Sequence, residues 1–207
     1  MYNLEMTTND NSLIRESSTP VFDRMFQAVE KVRERLERCC TALEIGQVPY
    51  AVVGGNAVAA WVATVDDGAV RNTRDVDILL RAEDLERAAE ALERVGFFRD
   101  SVMEVVVFLD GRDGKPNQGI HILLAERKVK EEYVSRTPRV EQSQMIEGRR
   151  VVDLVELVRM KLNSYRIKDQ THLLDMIQVK LIDASWPTKF EPSLADRLQI
   201  LLDNPDG

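Results

Sequence analysis

Cysteine and histidine are nearly missing from this 207-residue chain, with two of each. Cys39 and Cys40 are neighbours in a stretch that reads as helix, which excludes a disulfide framework. With only His121 and His172 to join them, a zinc finger is excluded as well. Positive charge is also in deficit: 28 Lys and Arg stand against 35 Asp and Glu, a net charge of −7. A broad DNA-binding or other nucleic-acid surface needs the opposite surplus, although a local basic pocket does not. Uncharged runs are short except from Ile45 to Val65, the length of a membrane span. Pro49, Gln47, Asn56 and the pair Gly54-Gly55 interrupt it, so a strand, a glycine turn and a helix account for it better. Glu5 and Asp10 in a polar N-terminus do not suit a signal peptide. The expectation is a soluble protein of the reducing cytoplasm, with no membrane partner.

What is present is ordinary core material: 44% apolar residues and 30% charged ones. Residues 1–20 lack periodicity and read as a loose arm. From Phe22 through Met25, Phe26, Val29, Val32, Leu36 and Cys39 to Leu43 the apolar spacing is helical, and Gly46 closes the helix. Strands are expected at Val48–Val53, Thr73–Leu80, Met103–Leu109 and Gly119–Ala125, with helices from Ala57 to Thr64 and from Leu85 to Val95. A small hairpin over Gln144–Val152 precedes a helix capped by Asp153, which runs to about Ile182 with a break near Lys168. A last helix spans Leu194–Leu202. The order predicts an α/β (α+β) fold: a small mixed sheet with flanking helices over residues 21–150, and a helical part over 151–207 packing on it.

Two features of the sheet half suggest chemistry. Gly54-Gly55-Asn56 stands where a strand turns into a helix, so a ligand can approach the amides closely and phosphate suits the helix N-terminus. A tight structural turn explains the same glycines. Asp75 and Asp77 share one face of an apolar strand, with Val76 and Ile78 on the other. Two such carboxylates repel unless a cation lies between them, and a hard divalent ion completed by phosphates is the usual partner. A solvated edge strand is the plainer alternative. Both features together, at one end of a sheet, favour a site.

Lys161 is a separate case. On a helical wheel from Leu154 it falls among Leu157, Val158 and Tyr165, while Glu156, Arg159, Asn163 and Arg166 take the opposite side. An ammonium on a packing face either meets an anion or snorkels out. Lys168 follows seven residues later on the same face, so both could clamp phosphate at the acidic end of the sheet. Arg166, His172 and Asp175 read as helix-surface or interhelical residues, and Cys39, Cys40, Trp61 and Trp186 as packing.

VVGGNAVAAWV followed by RNTRDVDILL resembles the signature of the nucleotidyltransferase fold of the DNA polymerase β-like superfamily. Within it the chain is similar to small bacterial nucleotidyltransferases that include the AbiEii-type toxins of toxin–antitoxin and phage-defence systems. Arg71, Thr73, Asp75 and Asp77 match that family's Arg-x-Thr-x-Asp-x-Asp strand, and VRMKLNSYRIKDQTHLLDM is similar to its lysine-bearing helix. The resemblance implies transfer of a nucleoside monophosphate from an NTP to a protein, RNA or small-molecule acceptor, with a cognate antitoxin or toxin as partner. It implies that Asp75 and Asp77 hold Mg²⁺ or Mn²⁺ and that Gly54, Gly55 and Asn56 cradle the triphosphate. Arg71, Thr73 and Lys168 then assist nucleotide binding, and Lys161 assists catalysis. Active members supply a third acid from a later strand, where this chain has His121. His121 then ligates metal, takes the acceptor's proton or is merely structural, and Glu104 is a candidate displaced acid. The alternative function is a catalytically lapsed module that binds nucleotide or a partner protein.

Overall fold

A computed structural model describes residues 20–102 and 105–205 of the chain. Residues 1–19 of the expected N-terminal arm and the candidate acid Glu104 lie outside the described residues, and Pro20 already belongs to a helix.

Helix α1 (Pro20–Ile45) turns at Gly46 into strand β1 (Tyr50–Val53), and the chain passes directly into α2 (Gly54–Ala63). The uncharged run from Ile45 to Val65 is therefore a turn, a strand and a ten-residue helix. Among the described residues no helix is long and apolar enough to cross a membrane. Strand β2 (Val76–Leu80) begins later than the pattern suggested, so Asp75 precedes it rather than lying in it. A 3-10 turn leads into α3 (Leu85–Glu93), whose apolar face packs on α1.

The antiparallel pair β3 (Phe97–Val102) and β4 (Val105–Asp110) follows, and then β5 (Ile120–Leu124). Strand β3 was not anticipated, because Arg99, Asp100 and Ser101 break the apolar alternation. It forms one edge of the sheet, where solvent tolerates them. The hairpin of β6 (Ser143–Ile146) and β7 (Arg149–Val152) completes a seven-stranded sheet of order β3-β4-β5-β2-β1-β7-β6. The sheet is mixed: β1 with β7 and β2 with β5 run parallel, and the other pairs antiparallel. Residue 150, where the sequence suggested a division, lies within β7.

The remaining helices are α4 (Leu154–Ser164), α5 (Ile167–Gln178) and α6 (Pro192–Asp203). Asp153 occupies the N-cap of α4, yet its side chain makes no capping bond. The break comes three residues before Lys168, at Tyr165, whose φ of +46° is left-handed. Asp169 then anchors the start of α5, its carboxylate accepting from the backbone N–H of the N-cap residue Arg166 at 3.3 Å. Helix α5 stops at Gln178, short of the expected Ile182. The wheel misplaces two residues: Arg166 lies beyond the end of α4, and Asn163, within α4, is buried because its amide binds Val134 and Ser135 of the segment after β5.

Helix α2 is shared between the sheet and the later helices. It packs on β1, β2 and β7, and also on α4 and α5. Trp61 ties it down through an indole N–H donated to the Val152 carbonyl at 2.9 Å. Cys39 and Cys40 are free and buried in the core, as their reading as packing residues required.

Candidate functional site

The two centre strands bring the glycines to the acids. Register pairs Val53 with Asp77, so the residue that ends β1 faces the second carboxylate and Gly54 follows at once. Gly54 has φ +68°, a conformation that costs any other residue, and the space above it is already taken. A Cβ at Gly54 would lie 1.9 Å from Asp77 Oδ2, and one at Gly55 would lie 2.5 Å from Thr73 Oγ1. The glycines are thus required by the close approach of this backbone to Thr73 and Asp77. Asn56 donates from Nδ2 to the Asp75 carbonyl at 2.7 Å and fixes the segment entering β2.

The N-terminus of α2 lies open. Its cap residue is Val53, which has no side-chain acceptor to offer the first-turn N–H groups. Thr73, against Gly55, keeps a buried hydroxyl with no hydrogen-bond partner. Unpaired N–H groups with the positive end of a helix behind them suit an anion.

A cleft of about 820 Å³ opens here between the end of the sheet and helices α4 and α5, and Gly54, Gly55, Asp75, Asp77 and His121 line it. On the helical side Lys168, in the first turn of α5, places Nζ 3.3 Å from Asp75 Oδ2. Lys161 also lines the cleft, but its ammonium is buried and paired with Asp169 Oδ1 at 3.1 Å. Neither a free clamp nor a snorkelling side chain describes it. Burial pushes its pKa down, against the pull of Asp169. Burial pushes the Asp169 carboxyl up, but Arg166, Lys161 and Ser164 outweigh this and hold it at about 2. The Arg166 guanidinium reaches Asp169 Oδ2 at 2.8 Å and stands in the cleft wall rather than merely on a helix surface.

His121 sits beside Asp77 because β2 and β5 pair these two residues in register. Its Nε2 lies 3.0 Å from the Pro116 carbonyl, which can only accept, so Nε2 carries the hydrogen. Nδ1 then faces Asp77 Oδ1 at 3.6 Å. The Asp77 carboxylate raises the imidazole pKa, with burial opposing and the Pro116 carbonyl assisting.

Arg71 stands apart. Its guanidinium makes a bidentate pair with Asp175 of α5, 2.9 Å at each contact, and it does not line the cleft. It straps the segment carrying Thr73 and Asp75 to the helical half. His172, also on α5, is buried with Nδ1 unpartnered, and burial lowers its pKa to about 4, with Lys161 and Lys168 adding to the effect.

One wall of the cleft went unnoticed in the sequence. The segment after β5 contributes Arg127, Lys128, Lys130, Tyr133 and Arg136. Two clasps hold it: the Thr137 hydroxyl donates to the Leu124 carbonyl at 2.6 Å, and buried Asn163 accepts from Val134 N at 2.9 Å and donates to Ser135 O at 2.8 Å. The cleft lining therefore carries seven Lys and Arg against three Asp, within a chain that is acidic as a whole. The run RKVK was the available signal, but a charged loop ordinarily means a solvated one.

A divalent ion fits this donor set only in company. Among the described residues no group of three or more His, Cys, Asp and Glu is arranged to hold a metal. Asp75 and Asp77 suit an ion such as Mg²⁺, which binds through one or two carboxylates and takes its remaining ligands from water and substrate phosphates.

No protein-family model and no curated protein matches the sequence. Among solved structures, the chain is similar to the antibiotic-resistance factor ANT(2'')-Ia in solution, at 16% identity over 85% of this chain and 91% of that one, with a TM-score of 0.47. It is similar to ANT(2'')-Ia in complex with adenylyl-2''-tobramycin, at 16% identity over 86% and 97% of the two chains, TM-score 0.43. A third is JHP933 from Helicobacter pylori, at 13% identity over 87% and 94%, TM-score 0.38. At these values the likeness assigns no activity to this chain.

Proposed function

We propose that the cleft binds a nucleoside triphosphate and transfers its nucleoside monophosphate to an acceptor. The observation that carries this reading is the fit of Gly54 and Gly55 against Asp77 and Thr73. It sets an uncapped helix N-terminus beside two carboxylates at the mouth of a cationic cleft. Anion-binding and cation-binding groups this close together suit a ligand that carries both, a triphosphate with its divalent ion. Asp75 and Asp77 would hold Mg²⁺ or Mn²⁺ there, and the ion would supply charge neutralisation at the phosphates.

The chain's own groups account for the rest. The α2 amides receive phosphate oxygens, and Lys168, already beside Asp75, adds a mobile positive charge. Asn56 keeps the entry to β2 in place, and Arg71 does so from the α5 side. Lys161 acts from behind the surface, holding Asp169 and through it Arg166. The acceptor's nucleophilic oxygen forms a bond to the α-phosphorus as the bond to the departing pyrophosphate breaks. Its proton passes to His121 Nδ1, the ring nitrogen not committed to Pro116. Tyr133 is the aromatic surface on which a nucleobase would rest. Among protein, RNA and small-molecule acceptors, the cationic wall favours one that bears negative charge.

A toxin–antitoxin setting in the cytoplasm, with a cognate antitoxin or toxin protein, rests on the motif resemblance and is tested by co-purification with the product of an adjacent gene. The activity is tested by incubation with labelled ATP, CTP, GTP and UTP, Mg²⁺ or Mn²⁺ and cell extract. A labelled product that Asp77→Asn abolishes is expected. Binding of NTP without any transfer would favour the lapsed module, for which the histidine at the third-acid position argues. No NTP binding at all would refute both transfer and nucleotide binding, and leave only the partner-protein form of the lapsed module.

A further inference from the structure

A second pocket, of about 320 Å³, lies between α1 and the loop after β4. Helix spacing sets Lys31, Glu34, Arg35 and Arg38 on one stripe of α1, and the loop brings Lys115 across from them. The floor is Asp110, the last residue of β4, which accepts from Arg35 Nε at 3.1 Å and from Arg38 Nη2. One carboxylate therefore serves two guanidiniums. Glu34 is the remaining acid in the lining, against Lys31 and Lys115, and neither ammonium has an ion-pair partner among the described residues. Positive charge is left over in this pocket.

The donors are held, not loose. Arg35 is buried, and Arg38 stacks over the Phe97 ring at 4.3 Å with its Nε buried and unpartnered. The loop closes tightly on the floor, since a Cβ at Gly114 would lie 2.7 Å from the Asp110 carbonyl. Guanidinium groups fixed by stacking and ion pairing, with two ammonium groups at the rim, match the oxygens of a phosphate.

We propose that this pocket is a second anion site, taking a small phosphate-bearing anion. Its loop continues to Pro116, whose carbonyl orients His121. An anion that draws Lys115 toward α1 therefore acts on the segment that sets the imidazole beside Asp77.

The test is an NMR titration of the full chain with inorganic pyrophosphate, at low and at moderate ionic strength. Amides of residues 31–38 are expected to shift saturably, and the affinity to fall as salt rises. The Lys31→Gln/Lys115→Gln variant changes only exposed side chains outside the cleft, and melting checks that it stays folded. It should weaken binding at 31–38 by about tenfold or more while leaving shifts at Gly54 and Gly55 intact. Shifts confined to the cleft amides, or shifts at 31–38 that survive in the double variant, would overturn the proposal.

Discussion

Replacing Gly54 by alanine tests the central contact of the site. Two costs add. The φ of +68° is left-handed, and an L residue there loses about 1–2 kcal/mol. The new Cβ also meets Asp77 at three atoms: Oδ2 at 1.9 Å, Cγ at 2.7 Å and Cβ at 2.8 Å. Rotating the Asp77 side chain can move Oδ2 and Cγ away, but no rotation moves its Cβ. Strands β1 and β2 must therefore separate slightly, the kind of overpacking that costs about 1–3 kcal/mol. Together the loss is about 2–5 kcal/mol, within the stability of an ordinary domain. For a chain of this length each kcal/mol lowers Tm by about 2–4 °C.

Thermal melting by circular dichroism should therefore show a fall of about 4–20 °C, with the secondary structure retained below the transition. Calorimetry should show Mn²⁺-dependent NTP binding lost, because the Asp77 carboxylate has been turned out of the cleft. The companion variant Asp77→Ala removes Oδ2 and Cγ from the clash, so the double variant should cost less than the sum of the singles, a coupling of about 0.5–3 kcal/mol. A Gly54→Ala protein that melts with the parent and binds NTP normally would falsify the argument. So would strict additivity with Asp77→Ala, since the glycine would then be answering to something else.

Three further outcomes follow from the same geometry. Lys168→Gln, at an exposed side chain, should leave Tm within about 4 °C, because exposed ion pairs contribute about 0–1 kcal/mol, yet weaken NTP binding about tenfold in calorimetry. Lys161→Met is expected to destabilise rather than stabilise, because it leaves Asp169 buried without one of its cations. The loss should approach the lower end of the roughly 3–5 kcal/mol for a broken buried pair, since Arg166 and Ser164 remain, and denaturant unfolding with no loss of stability would refute the pairing. His172 stays neutral in the fold down to about pH 4, so between the ordinary value near 6.5 and about 4 the unfolded chain binds the extra proton. Stability should fall by about 3 kcal/mol as pH falls through that window; His172→Leu should flatten this slope, and an unchanged slope would sink the assignment. His121, whose pKa is raised, acts with the opposite sign, contributing stability that is lost as pH rises through its folded value.

The parts of the site legible in the sequence are those carried by one local pattern. A buried strand that ends in two glycines, followed by two acids with one residue between them, marks the turn and the entry to the next strand. Asp75 and Asp77 accordingly line one cleft with Gly54 and Gly55. Arg71 shares the same short motif and goes elsewhere, because the fold brings Asp175, 104 residues on, within reach of its guanidinium. Gly55 illustrates a subtler failure. The pattern suggests that its missing side chain makes room for a ligand, yet the first atom a Cβ meets is Thr73 Oγ1 of the chain itself, so Gly55→Val meets the protein first. That variant perturbs the fold before it perturbs a ligand.

Lys161 marks the limit of the helical wheel. The wheel correctly put it on the packing face, and the residue is buried against the cleft. It could not supply the partner, because the chain turns left-handed at Tyr165 and Asp169 comes back from a second helix eight residues later. A periodicity argument holds only as long as the helix does, and one residue with positive φ ends it. The basic wall has a related cause: Arg127 to Arg136 have no periodicity, and hydrogen bonds that include the clasps by Asn163 and Thr137 set them beside Asp75 and Asp77. The groups that set the charge of the cleft are thus positioned by buried polar residues of another element. Asn163→Ala should for that reason weaken phosphate binding without removing a single charge.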